Sequence, residues 1–459
     1  MNASAPALSP SAMPSIPKSV LPDDVQQSNP LRKLSFYCGL GFFFVLLSVL
    51  SELTYYVTGI NTYLLYLFAP PAFLGALFMG GLGRTLRFRA SWYWIGFFAW
   101  MIIAAPFSSW KGGSIAGVYD YARIAMPLMF VVGGLGTTWK EIRAVFYTIA
   151  AAGIINLLTA DLFAKEDNGG RIMLQATGTI GNSNDLAAHL LLVLPFILFV
   201  VMQAKKLGGI RYLFLLPIAY GVWVITGTAS RGALIAMTCV FLVVLWRATP
   251  TQRLLAVVAA IVIAGGMFAL LPGRVLSRLG TLVGQEHIEA DESAESRGYL
   301  FRTSVRYTLQ HPLFGVGMNQ FPNYEGQESR SQGQYGDWHA THCAWTQVSA
   351  ECGIPALIFF VLGIGSALQL VNKTWREARK GKFKEIESAC FCYLIAMVGF
   401  LVAITFLANA YRYYLPAMIG LAISIRSIAL RQMAIPKIQG APIPAPQPAW
   451  AMSMRPAGA

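Results

Sequence analysis

Runs of about twenty apolar residues return along most of this chain, and a helix of that length crosses a bilayer core of about 30 Å. Few soluble folds survive such a pattern. Of 459 residues, 56% are hydrophobic and 12% charged, against roughly a quarter charged in soluble domains. The net charge of +14 would suit a nucleic-acid binder if it lay on one stripe. Instead the basic residues sit between apolar runs, where membrane orientation places them. The expected fold is all-α and integral to a membrane, with about twelve transmembrane helices and one long outer loop containing short helices.

The spans fall near 34–54, 61–81, 91–107, 117–136, 142–162, 184–204, 211–226, 231–247, 253–271, 344–371, 388–410 and 412–430. Charge tests this segmentation. With the N-terminus inside, 23 Lys and Arg fall in the inner connections and termini, and five (Lys111, Lys165, Arg171, Arg231 and Arg412) fall in the short outer ones. Long loops cross regardless of charge, so 272–343 does not enter the comparison. The asymmetry places both termini in the cytoplasm and residues 272–343 outside.

Met1 to Pro30 is rich in Ser, Pro and Ala without an apolar core, unlike a cleaved signal peptide. The tail 435–459 is rich in Pro and Ala, so both ends are expected to be disordered. Between them the chain divides into N-terminal helices at 31–174, a core at 175–371 that includes the outer loop, and C-terminal helices at 372–434. Of six cysteines, only Cys343 and Cys352 lie near the outer loop. On one helix they stand about 13 Å apart, too far to bridge, so no disulfide framework is implied.

The outer loop carries six arginines and eight acids, the acids mainly between Glu286 and Glu295. A loop this long without structure is uncommon, and such loops are often functional. Ser293 or Ser296 can cap a helix that must stop before His311-Pro312. Its apolar residues Tyr299, Leu300, Phe301, Val305 and Leu309 scatter around the helical wheel, as in a helix wedged between membrane and protein. Gly315 and Gly317 then permit a tight turn.

Several side chains in the outer parts suit chemistry on an anion. Arg231 opens an apolar helix in TGTASRGAL, where free N–H groups and the helix dipole favour phosphate. Thr226, Thr228 and Ser230 add hydroxyls, although an arginine there also suits snorkelling to headgroups. Arg302 and Arg306 share a helix face and Arg297 points elsewhere. A guanidinium fork grips a pyrophosphate, whereas a solvated basic face needs no ligand. His342 abuts the tenth span and can take a proton from a hydroxyl at neutral pH, or simply cap the helix. Asp337, His339 and His342 are metal-ligand types without a fourth ligand at typical spacing, so no metal or other cofactor is expected. Glu351 lies about 12 Å into its span and needs a partner there. Arg123 is the candidate for a structural ion pair, unless Asp120 takes it first. On an unbroken helix, His342 and Glu351 face opposite ways.

Taken in order, these segments resemble the O-antigen ligase superfamily, whose members carry a Wzy-type C-terminal domain. The resemblance rests on GTIGNSNDLAAHL, SRGAL, SRGYLFRTSVRYTLQHPLFGVGMNQF and HCAWTQVSAECGIPALIFF, covering roughly 175–370. The first five spans match only in hydropathy. Cys343 stands where the family usually has Asn, which puts one acceptor or backbone contact in question.

The resemblance implies a metal-independent, inverting glycosyl transfer on the outer face of the bacterial inner membrane. The donor is a glycan on undecaprenyl pyrophosphate, and the acceptor is a hydroxyl of lipid A core or of a growing polysaccharide. Arg231 and Arg297 would hold the pyrophosphate and His342 would act as general base. Arg302, Arg306, Ser230, Asn184, Gln347 and Glu351 would line the substrates. A pyrophosphate already leaves easily, so positive charge and one base suffice. A polymerase or a protein O-glycosyltransferase of the same superfamily shares this donor chemistry. A lipid-linked glycan transporter would instead place its polar residues near the midplane in paired broken helices. Membrane lipids are the other expected partners, and nucleic acid is not one.

Overall fold

The computed structural model describes residues 29–166, 171–174, 180, 182–248, 250–270, 273, 288–333, 335–336 and 338–439. Most of both termini, the first part of the outer loop and Asp337 lie outside these. In chain order the helices are α1 (Pro30–Ser48), α2 (Leu50–Thr58), α3 (Leu64–Phe78), α4 (Gly81–Thr85), α5 (Arg89–Ala104), α6 (Lys111–Gly134) and α7 (Trp139–Phe163). A hairpin of β1 (Ala164–Glu166) and β2 (Ile172–Leu174) follows. Then come α8 (Ser183–Gln203), α9 (Leu215–Gly227), α10 (Arg231–Arg247), α11 (Pro250–Leu270), α12 (Ile288–Gln310), α13 (Phe321–Ser331), α14 (Ala344–Lys380), α15 (Lys384–Ile404) and α16 (Tyr414–Gln439).

Among the described residues, nine helices are long and apolar enough to cross a membrane. The expected all-α membrane class holds at that level. Among the other expected spans, α3 has 15 residues and α10 has 17, while α9 reaches spanning length only together with the 3-10 turns at Lys205–Phe214 before it. The first span is broken by Val49, which adopts φ 49° between α1 and α2. Three further differences stand out. A small antiparallel hairpin, with Ala164 opposite Leu174, joins α7 to α8. The last helix continues to Gln439, past the boundary expected at 434. Residue 371 falls inside α14, which runs on to Lys380.

Small residues let the long helices approach closely. A Cβ at Gly420 of α16 would lie 2.5 Å from the Met129 carbonyl oxygen of α6, a close crossing of the kind small residues allow between membrane helices. Trp94 of α5 is buried, packs in a tilted contact against Phe360 of α14 and donates to the Tyr121 hydroxyl at 2.9 Å. This core fixes α14 against α5 and α6, and α14 carries the candidate site at its first residues.

Candidate functional site

α14 breaks where Gly353 adopts φ 84° and ψ 173°. A break strips backbone groups of their helical partners, and inside a membrane these must be satisfied locally. The Pro312–Gly317 turn does this. Val316 N donates to Ala350 O at 2.8 Å, Gly317 N to Glu351 O at 2.8 Å, and Ile354 N to Pro312 O at 2.8 Å. The two segments are too close for a side chain at either glycine. A Cβ on Gly353 would sit 2.0 Å from Leu313 O, and one on Gly315 would sit 2.3 Å from the Glu351 carbonyl carbon. Trp100 of α5 seals the joint, donating to Cys352 O at 3.0 Å and Leu313 O at 3.2 Å. Ser109 N and Oγ both donate to Val316 O.

Glu351 occupies the underside of this joint, only 2% exposed. Its carboxylate accepts from Asn319 N at 3.0 Å and from Phe321 N at 3.2 Å, closing the start of α13. Gln347 and Tyr411 also hydrogen-bond to it. Of the two pairings left open for Arg123, the one with Glu351 does not form and the one with Asp120 does. Arg123 is exposed and pairs with Asp120 at 2.9 Å, because it lies on the outside of α6. Glu351 is thus held by backbone N–H groups, which a buried carboxylate can accept without any cation.

A second buried carboxylate supports the approach to His342. Glu325 accepts from Tyr299 OH at 3.2 Å, Ser329 Oγ at 3.0 Å and Trp338 N at 2.9 Å. Among the described residues, four of the seven non-glycine positions with positive φ lie in or beside the site: Ala229 (46°), Asn319 (58°), Trp338 (52°) and His342 (52°). Such conformations cost energy and persist only where their surroundings dictate them, as at binding and catalytic sites. His342 is half-buried at the head of α14, with Cys343 as the N-cap residue. The Thr341 hydroxyl hydrogen-bonds the Cys343 backbone, donating to Cys343 O at 3.0 Å.

The 405–412 turn connects the histidine side of the site to Arg231. It meets the head of α14 through Trp345 Nε1, which donates to Thr405 Oγ1 at 3.1 Å, and through Gln347 Oε1, which accepts from Ala410 N at 3.2 Å. Phe406 lies against Gly232, where a Cβ would approach its ring at 2.7 Å. Arg231 is the first residue of α10, half-buried, and Ser230 caps that helix by accepting from Ala233 N at 3.4 Å. Ser230 therefore has a structural task whatever else it touches. Asn184 accepts from Arg171 Nη2 at 3.0 Å, and Arg171 Nε donates to Thr228 O at 2.9 Å. Asn409 donates to Asp185 at 3.0 Å. Arg171, Asp185 and Asn409 are site neighbours that the sequence reading did not single out. Arg171 entered it only as one of five outer charges, and nothing in its local sequence pairs it with the turn at Thr228.

Arg297, Arg302 and Arg306 ride on α12, which begins at Ile288, earlier than either serine cap, and ends at Gln310 as the following His311-Pro312 requires. Arg297 is half-buried and Arg302 exposed. Arg306 pairs with Glu328 at 2.6 Å and lies over the Tyr307 ring. Burial and the carboxylate of Glu328, to which its hydroxyl donates, push the Tyr307 phenol well above its ordinary value. The helix does have a packed face: Leu300, Thr303, Ser304 and Tyr307, all buried, recur at helical spacing. Its two central members are polar, so an apolar count overlooks it. Thr308 and Ser349 hydroxyls join the same contact with α14 at 2.8 Å. Phe301, Val305 and Leu309 form an exposed stripe on another face.

All six cysteines are free thiols. Among the described residues no three His, Cys, Asp or Glu side chains group as metal ligands, and Asp337 lies outside them. Residues 216–361 match the family model Wzy_C, described as O-antigen ligase. The stretch from Gly178 to Leu190 precedes this match. No curated protein matches the chain.

Proposed function

We propose, from the O-antigen ligase domain at 216–361, that the chain transfers a glycan from undecaprenyl pyrophosphate to an acceptor hydroxyl. The match supports a membrane enzyme of O-antigen ligase or polymerase type; the donor, acceptor and residue roles are our reading. The observation that carries it is that the matched stretch holds Arg231, Arg297 and His342 together. These lie within the same segment as the interlocked turn and broken helix.

In this reading the guanidinium groups of Arg231 and Arg297 bind the pyrophosphate and stabilise the charge it gains on leaving. His342 takes the proton of the acceptor hydroxyl as that oxygen attacks the sugar carbon, and inversion follows from a single displacement. The acceptor is lipid A core or the end of a growing polysaccharide, and the reaction takes place on the outer face of the inner membrane. No metal is needed, because the leaving group is a weak base. The left-handed backbone of His342, one residue ahead of the Cys343 N-cap, supports this reading, since such conformations persist at sites.

The test is transfer by purified, detergent-solubilised protein from an undecaprenyl-pyrophosphate glycan, with donor binding measured alongside. His342→Ala should lose roughly 10²–10⁴-fold in turnover with donor binding near normal. Arg231→Lys and Arg297→Lys should both weaken donor binding, since an ammonium keeps the charge and loses the fork. Full activity of His342→Ala, or loss of its donor binding, would remove the base assignment.

A further inference from the structure

At the end of the bundle remote from His342, a basic cluster lies outside everything the transfer reaction uses. Arg247 is the last residue of α10, and its Nη2 donates to Asn372 Oδ1 of α14 at 3.1 Å. Its guanidinium stacks over the Trp375 ring at 4.3 Å, and Arg379 approaches the same ring at 5.3 Å. Arg376 and Arg379 are both near enough to repel the charge of Arg247. The neighbouring acids are otherwise engaged. Glu377 binds Arg426, and Glu387 is shared by Arg379 at 3.9 Å and Lys384 at 3.5 Å. Meanwhile Nη1 of Arg247 is buried, and among the described residues it has no hydrogen-bond partner.

A guanidinium nitrogen in that state, among like charges, is costly unless an anion answers it. The position of the cluster narrows the choice. Beyond its break at Gly353, α14 runs on from Ile354 to Lys380, about 40 Å of helix against an apolar core of about 30 Å. Its last turns therefore reach headgroup level and beyond, where a tryptophan beside arginines is at home. We propose that Arg247, Asn372, Trp375, Arg376 and Arg379 form a site for the phosphate of an anionic phospholipid headgroup. The arginine forks take the phosphate oxygens, and Trp375 lies along the upper acyl chain. A zwitterionic lipid would bring an ammonium group into three guanidiniums and is disfavoured. The site stands independently of the transfer reaction.

Full-length protein, stripped of lipid in detergent, is titrated with phosphatidylglycerol, phosphatidylethanolamine of the same chains, or inorganic phosphate, and bound lipid is counted by native mass spectrometry. Wild type should retain phosphatidylglycerol over phosphatidylethanolamine, and R376Q/R379Q should lose roughly tenfold or more of that affinity. Both of these arginines are exposed, so the double variant should elute and melt like wild type. Arg247→Lys, which keeps the charge and loses the fork, should fall between the two. Equal retention of the two lipids by wild type, or an undiminished preference in R376Q/R379Q, overturns the proposal. Inorganic phosphate binding as tightly as the lipid and lost in the same variant assigns the site to a soluble anion, which also overturns it.

Discussion

The two ends of the bundle bring different buried charges to the backbone, although Glu141 at the far end also accepts from Thr137 N and Thr138 N. At the His342 end, buried carboxylates accept from backbone N–H groups: Glu351 from Asn319 and Phe321, Glu325 from Trp338. At the far end, buried guanidiniums donate to carbonyls at helix C-termini. Arg32 binds Leu135 O at 2.9 Å and Glu141 at 2.7 Å, and Arg84 binds Gly134 O at 2.7 Å and Met79 O at 2.9 Å. Burial, then the nearby Arg32, Arg431 and Arg87, draw the Arg84 guanidinium down to about 10, which leaves it charged at neutral pH. Guanidiniums closing regular helix ends complement the helix dipole and ask nothing unusual of the backbone. The carboxylates instead hold a broken helix and left-handed residues in place. One end closes regular helices, and the other holds strained backbone in place around the candidate site.

The sharpest way to break this contrast is Gly353→Ala. A Cβ there would meet Leu313 O at 2.0 Å in a conformation with φ 84°. We expect a loss of at least about 4 kcal/mol, seen as little monodisperse protein. Normal yield and melting temperature would show that the joint is not rigid.

Next in size is a matched pair of substitutions, Glu351→Ala and Arg84→Ala, each costing on the order of 3 kcal/mol. Both should lower the melting temperature. Only Glu351→Ala should also lower transfer per folded molecule, and Glu351→Gln, which keeps one acceptor oxygen, should recover part of it. Equal specific activity of the two alanine variants would dissolve the distinction between the ends.

The smallest effect is expected for Arg306→Gln. Its pair with Glu328 has side chains 44% and 25% exposed, so solvent screening leaves about 0.5 kcal/mol. Transfer should be unchanged if the ion pair is its role. A tenfold rise in donor KM would return Arg306 to the substrate.

The sequence alone determined the membrane class and most of the helical segments, because apolar length and charge placement are local properties. It also located the stretch containing Arg231, Arg297 and His342 through motifs that the family match spans. Tertiary structure decided who partners whom. Glu351 and Arg123 looked like an ion pair because each needed a partner at similar depth, but depth says nothing of which way a helix faces, and Arg123 faces outward. The break at Gly353 was invisible within one helix, since its cause lies 40 residues earlier in chain order, in the Leu313 carbonyl that fills the space of a side chain. Trp100, in a span that matched only by hydropathy, and Ser109, in the loop after it, hold that joint from another part of the chain. Hydrogen bonds between distant segments depend on helix rotation and crossing, and those are set by packing rather than by local composition.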